Sequence, residues 1–150
     1  MKKIAINPAL KRLEVLAGEW EMELSKSSFL PDPNTIVKGS VTFEWLEEGD
    51  FLVMRQGRKN ESMWANWLIG RDEESQDYTV LYIDNRRVSR VYEMSFEKEV
   101  WKIWRNAPGF SQRFAGMISK DKNNIKAYWE KSADGKNWEH DFDKVFKRIA

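Results

Sequence analysis

The chain contains no cysteine among its 150 residues. That single absence excludes thiol catalysis, disulfide frameworks and every thiolate metal site, and it agrees with a reducing compartment such as the cytoplasm. Histidine is almost as scarce, since His140 stands alone. A zinc site would have to be built from one imidazole and several carboxylates, and a serine triad would depend on that one ring with no nucleophile elbow to present the serine. Glycine is sparse and scattered, so no phosphate-cradling loop is legible. Charge of one sign is missing too: 25 Lys and Arg stand against 24 Asp and Glu, without the basic excess that nucleic acid requires. No apolar run approaches the roughly 20 residues needed to cross a bilayer as a helix. The basic start at Lys2 and Lys3 is followed at once by Asn7, Pro8, Lys11 and Arg12, so no export signal is readable and a cytoplasmic location is expected.

What the sequence does have is alternation. Trp20, Met22 and Leu24 alternate with Glu19, Glu21 and Glu23, which describes a strand with one wet face. The same period of two recurs in Val41, Phe43 and Trp45, and again in Val88, Arg90, Tyr92, Met94 and Phe96. Turn residues separate these segments at short intervals, for example Glu48-Gly49-Asp50, Asp84-Asn85-Arg86 and Asp134-Gly135-Lys136. Ten strands are predicted, near residues 19–26, 36–47, 50–58, 62–70, 77–84, 88–97, 99–105, 110–119, 124–132 and 137–149. One helix precedes them, capped by Asn7, opened by Pro8, carrying Leu10, Leu13 and Leu16 on one face and ended by Gly18.

Ten antiparallel strands laid flat leave two long unpaired edges, and closing the sheet on itself removes both. The expected architecture is therefore all-β: one domain, residues 1–150, forming a single antiparallel barrel with a short N-terminal helix at one end. A barrel of that strand number is wide enough to hold a ligand. The segment 25–35, with Pro31 and Pro33, is the longest irregular stretch and is expected at a rim.

Certain stretches are similar to known families. Leu13-Glu14-Val15-Leu16-Ala17-Gly18-Glu19-Trp20 resembles the helix, glycine and tryptophan that open calycin barrels such as lipocalins and nitrobindins. Trp129-Glu130-Lys131-Ser132-Ala133-Asp134-Gly135-Lys136-Asn137-Trp138, followed by Phe142 and Phe146-Lys147-Arg148, resembles an uncharacterised bacterial calycin-like family, as does Phe110-Ser111-Gln112-Arg113-Phe114 with Gly116. The resemblance implies a barrel closed at one end by the helix. It also implies structural roles for Gly18 and Trp20, with Arg148 or Lys147 of the last strand packed against the indole.

Nitrobindins carry a haem-ligating histidine on the last strand, about five residues before an ending that Phe146-Lys147-Arg148-Ile149 resembles. Here five positions back reaches Asp141, and His140 lies one further, which places it on the opposite face of a regular strand unless a bulge intervenes. By parity with Trp138 and Phe142, however, His140 points inward. Haem held by His140 is thus one expectation. Asp141, Asp143 and Glu139 share the other parity and are expected to form a wet acidic stripe.

Two arginines have inward parity, Arg90 with Tyr92 and Met94, and Arg105 with Trp101 and Ile103. A buried guanidinium needs an acceptor, so it meets a carboxylate, other hydrogen-bond acceptors, cavity water or the acidic head of a ligand. Its planar fork suits a carboxylate, with a tyrosine hydroxyl from Tyr92, Tyr78 or Tyr82 and the Gln112 amide as companions. The expected ligand-binding set is Arg90, Tyr92, Arg105, Gln112 and His140, with no catalytic residue and no metal ligand. Trp64 and Trp67 have opposite parity, so one of them is expected to face outward, at a partner surface such as a homodimer contact or under a loop. The chain reads as a binder of a hydrophobic or amphipathic small molecule. The alternatives are a haem protein and a filled barrel that acts on a protein partner.

Overall fold

The computed structural model describes residues 6–57, 63–72 and 74–150. Ten strands follow a short helix: β1 (Gly18–Ser25), β2 (Val37–Leu46), β3 (Phe51–Gln56), β4 (Ala65–Arg71), β5 (Tyr78–Asp84), β6 (Ser89–Glu97), β7 (Val100–Arg105), β8 (Ser111–Ile118), β9 (Asn124–Ser132) and β10 (Glu139–Arg148). Each pairs antiparallel with its sequence neighbours, and β1 pairs with β10 to close the barrel. The expected extensions of the third and fourth strands to 58 and 62, like the basic start at Lys2 and Lys3, lie outside the described residues.

Alternation explains why closure works. In β5 the residues Tyr78, Val80, Tyr82 and Asp84 are buried while Thr79, Leu81 and Ile83 face out, so one face of every strand supplies the interior. The closing seam sets Trp20 opposite Arg148 and Met22 opposite Phe146.

The helix differs in kind from the usual α-helix: Pro8–Leu16 is a 3₁₀ helix, capped by Asn7, whose side chain accepts from the Ala9 N–H. The reason is in the spacing. Leu10, Leu13 and Leu16 recur every third residue, and three residues per turn stacks them in one line. All three are fully buried, each contributing about 1.5–3 kcal/mol through apolar burial. The helix plugs the end formed by the β2–β3, β4–β5 and β6–β7 turns: the Asn7 N–H donates to the Gly49 carbonyl, Arg71 Nη1 to Ala9 and Arg12 Nη1 to Phe96.

Gly18 turns the chain from helix into barrel at φ +131°, and a Cβ there would collide with the carbonyl oxygen of Ala150 and lie 2.8 Å from Arg148 Nη1. Only glycine meets both demands. Beneath it, the Arg148 guanidinium sits 4.2 Å from the Trp20 ring centroid. It donates to the carbonyls of Val15 (2.6 Å), Ala17 (2.8 Å) and Lys122 (3.0 Å). The Trp20 indole in turn donates to Leu16. One arginine thus ties helix, seam and the β8–β9 turn together.

No helix among the described residues is long and apolar enough to cross a membrane.

Candidate functional site

The end opposite the helix is hollow. Aromatic and aliphatic side chains fill the plugged half around Trp101, Phe146 and Trp20. The other half encloses a cavity of about 670 Å³, within the range of roughly 300–1,000 Å³ usual for small-molecule sites. Trp67, Tyr92 and Trp129 form its floor, with ring centroids 5.1 Å apart for Trp67–Tyr92 and 6.0 Å for Tyr92–Trp129. The β1–β2 loop forms part of the rim: Phe29 packs edge-on against Phe142 at 5.7 Å, and Ser28 Oγ donates to Asp141 Oδ1 at 2.6 Å.

One wall is polar. The Tyr92 hydroxyl donates to Gln112 Oε1 at 2.6 Å, and Arg90 Nη1 approaches the same oxygen at 3.5 Å. Arg90 lies at the start of β6, with its guanidinium 5.2 Å from the Phe110 ring and 5.9 Å from that of Tyr82. Burial pushes the Tyr92 phenol upward, opposed by hydrogen bonding and charge from Arg90 and charge from Arg105. Since Gln112 Oε1 already serves two donors, its amide N–H groups and the remaining Arg90 donors are what this wall offers to a guest.

Nearer the mouth, Tyr82 and Arg86 share Asp84. The Tyr82 hydroxyl donates to Oδ2 at 2.7 Å and Arg86 Nη2 at 2.7 Å, while the Arg86 N–H donates to Oδ1. Burial alone would raise the Asp84 carboxyl, but these bonds outweigh it and hold it well below the usual carboxylate range. Burial and the Asp84 bond together raise the Tyr82 phenol. Arg86 therefore lines the cavity with its charge already compensated.

Three of the five expected ligand contacts, Arg90, Tyr92 and Gln112, come together in this wall. Arg105 does not line the cavity. It pairs in register with Gln112 and its guanidinium stands over the Tyr92 ring at 6.0 Å from the centroid, with its Nε buried and without a hydrogen-bond partner among the described residues. Tyr78 belongs to the plugged half, beside Arg71.

His140 is a correction. Its side chain is 45% exposed and its Nε2 bonds Asp143 Oδ1 at 2.8 Å on the outside of the barrel. The cause is a bulge in β10: His140 pairs with Glu130 and Phe142 with Trp129, leaving Asp141 as the extra residue. The bulge resets parity. Asp141 is buried and lines the cavity, so the expected acidic stripe loses its middle member and the inward position goes to a carboxylate. A haem within this cavity would find no imidazole. The residue five places before the Phe146-Lys147-Arg148-Ile149 ending is an aspartate already held by Ser28 and approached by Lys131 at 3.9 Å. The residues do not fit that group. Among the described residues no cluster of three His, Asp or Glu side chains could hold a metal ion.

Trp64 is a second correction: both tryptophans line the cavity, Trp64 half-buried at its mouth and Trp67 buried in its floor, so the opposite facing read from parity does not hold.

Sequence reasoning missed Lys144. It is only 6% exposed, faces the cavity between Phe142 and Phe146 on β10, and has no hydrogen bond or ion pair among the described residues. Its cross-strand neighbours are Leu24 and Ala127. Desolvation brings its amine down to about 7. The signal was available, because Lys144 shares the parity of Phe142 and Phe146, the inward face.

Fold and site together define a class: a closed ten-stranded antiparallel barrel, plugged at one end by a 3₁₀ helix, with an aromatic-floored cavity and one polar wall at the other. No family model matches the sequence, and no curated protein matches it. Among solved structures, the crystal structure of Rv2717c from M. tuberculosis is similar, with a TM-score of 0.66 over 97% of this chain and 100% of that one, at 14% identity. That likeness is one of fold.

Proposed function

We propose that this protein is a calycin-like carrier or sensor that binds an amphipathic small molecule with an acidic head. One observation carries the reading: a cavity of about 670 Å³ with an aromatic floor and a polar wall where Arg90, Gln112 and Tyr92 converge. Apolar burial supplies affinity and the few placed polar groups supply orientation. Among the described residues no carboxylate neutralises Arg90, whose contacts are Gln112, Phe110 and Tyr82. A ligand carboxylate would complete it, since a guanidinium donates two parallel hydrogen bonds to that group.

Native mass spectrometry of protein purified without refolding tests for a retained ligand. Titration with dodecanoate, followed by tryptophan fluorescence, tests the anchor. Arg90→Met is expected to weaken dodecanoate binding by about tenfold or more, the equivalent of losing one charge-assisted hydrogen bond. Unchanged affinity in that variant would place the head group elsewhere.

A further inference from the structure

A lysine amine in an apolar wall is an unusual thing for a barrel to keep. Lys144 Nζ stands 5.4 Å from the Phe146 ring centroid, between Leu24 and Ala127 on the adjoining strands. Among the described residues, Asp141 is the carboxylate that lines the same cavity, and it is already engaged by Ser28 and Lys131. The other charged groups lining it, Lys38, Arg86 and Arg90, are cations. An ammonium here, with no ion-pair partner among the described residues, is disfavoured by lost hydration. A methionine of similar length would fill the position without that penalty.

We propose that Lys144 is a covalent attachment point, and that the cavity takes an amphipathic aldehyde or ketone which Lys144 Nζ holds as an imine. The inference rests on the cavity being a small-molecule site and adds the chemical class of the guest. The neutral amine is the nucleophile, and an apolar, water-poor wall favours that form. The Nζ lone pair forms a C–N bond to the carbonyl carbon. The resulting carbinolamine loses the former carbonyl oxygen as water, which carries both amine protons, and a C=N bond remains. No oxidant or reductant is needed. Desolvation that keeps the amine near half-neutral around pH 7 agrees with this role, and the same apolar walls slow the return of water that would hydrolyse the imine. An oxo acid offers a carboxylate to Arg90 and a carbonyl to Lys144, both of which line the cavity.

The probe is ω-oxododecanoate, an aldehyde at one end and a carboxylate at the other, incubated with the full chain and cyanoborohydride at neutral pH. Intact mass and peptide mapping then locate the reduced adduct. The expected result is one adduct per chain, on Lys144, formed about tenfold or more faster than at any surface lysine, and suppressed by excess dodecanoate. Lys144→Met and Lys144→Arg, checked for cooperative melting, are both expected to lose that fast adduct while still binding dodecanoate. Adducts spread evenly over surface lysines, with dodecanoate still bound, overturn the imine and leave the cavity reading standing. Failure of dodecanoate to bind or to protect overturns both.

Discussion

A buried lysine with no ion-pair partner among the described residues makes the stability of the barrel depend on pH in a specific direction. The Lys144 amine titrates near 7 in the folded chain and near 10.5 when free. Between those values the unfolded chain binds more protons than the folded one, so stability rises with pH across that window and is lowest at and below its lower edge. The shift corresponds to a few kcal/mol. Lys144→Met should therefore stabilise the protein, most at pH 7 and below. It should also flatten the rise toward pH 10, as read from the wild-type minus variant difference in urea unfolding free energy. A difference that does not vary with pH would mean that the amine remains solvated. Legibility at this scale was uneven. Arg90, Tyr92 and Gln112 announced themselves because arginine and glutamine are conspicuous among inward apolar positions. Lys144 has the same parity but passed unnoticed, since its burial depends on β1 and β9 closing over it from both sides.

The decisive element is β10. Its regular half, from Phe142 to Arg148, keeps the alternation that the sequence displays. Its first residues do not, because Asp141 is inserted against β9. A bulge turns on backbone geometry at a single residue and leaves no signature in hydrophobic period, so His140 was read as inward and Asp141 as outward, the reverse of their true places. His140→Ala is accordingly expected to change stability by less than about 0.5 kcal/mol, as for other exposed positions. It should also leave the haem titration spectrum indistinguishable from wild type. A Soret band that disappears in this variant would contradict the outward placement. The N-terminal helix illustrates the opposite case, an element whose place is written in the sequence, with Asn7 and Pro8 marking its start and three leucines its buried face. The β6–β7 turn shows what propensity conceals: Lys98 and Glu99 both take positive φ, 49° and 68°, without the glycine or asparagine that usually advertises such a hairpin.

At the scale of the molecule, the two ends of the barrel do different work. The plugged end holds the fold closed through Arg148, whose three carbonyl partners lie on the helix, at its exit and on the β8–β9 turn. Arg148→Met is expected to cost about 2–4 kcal/mol, since it strands those acceptors and removes the guanidinium from the Trp20 face. Dodecanoate affinity of the folded fraction should stay unchanged, because the cavity lies at the other end. Chemical denaturation and ligand titration on the same sample separate the two effects. Loss of affinity in fully folded protein would show that the two ends are coupled.

The sequence by itself determined the strand number, the antiparallel order, the inward face of most strands and the glycine at the helix-to-strand corner. Each of these is a local property: side-chain period, turn chemistry or the sterics of one backbone angle. Tertiary structure alone decided that the barrel is hollow at one end, that Asp141 replaces His140 on the inner face, that Arg105 is left out of the cavity lining and that Lys144 is desolvated. Those outcomes follow from how ten strands stagger and what volume their side chains leave unfilled, quantities set by contacts between residues far apart in the chain.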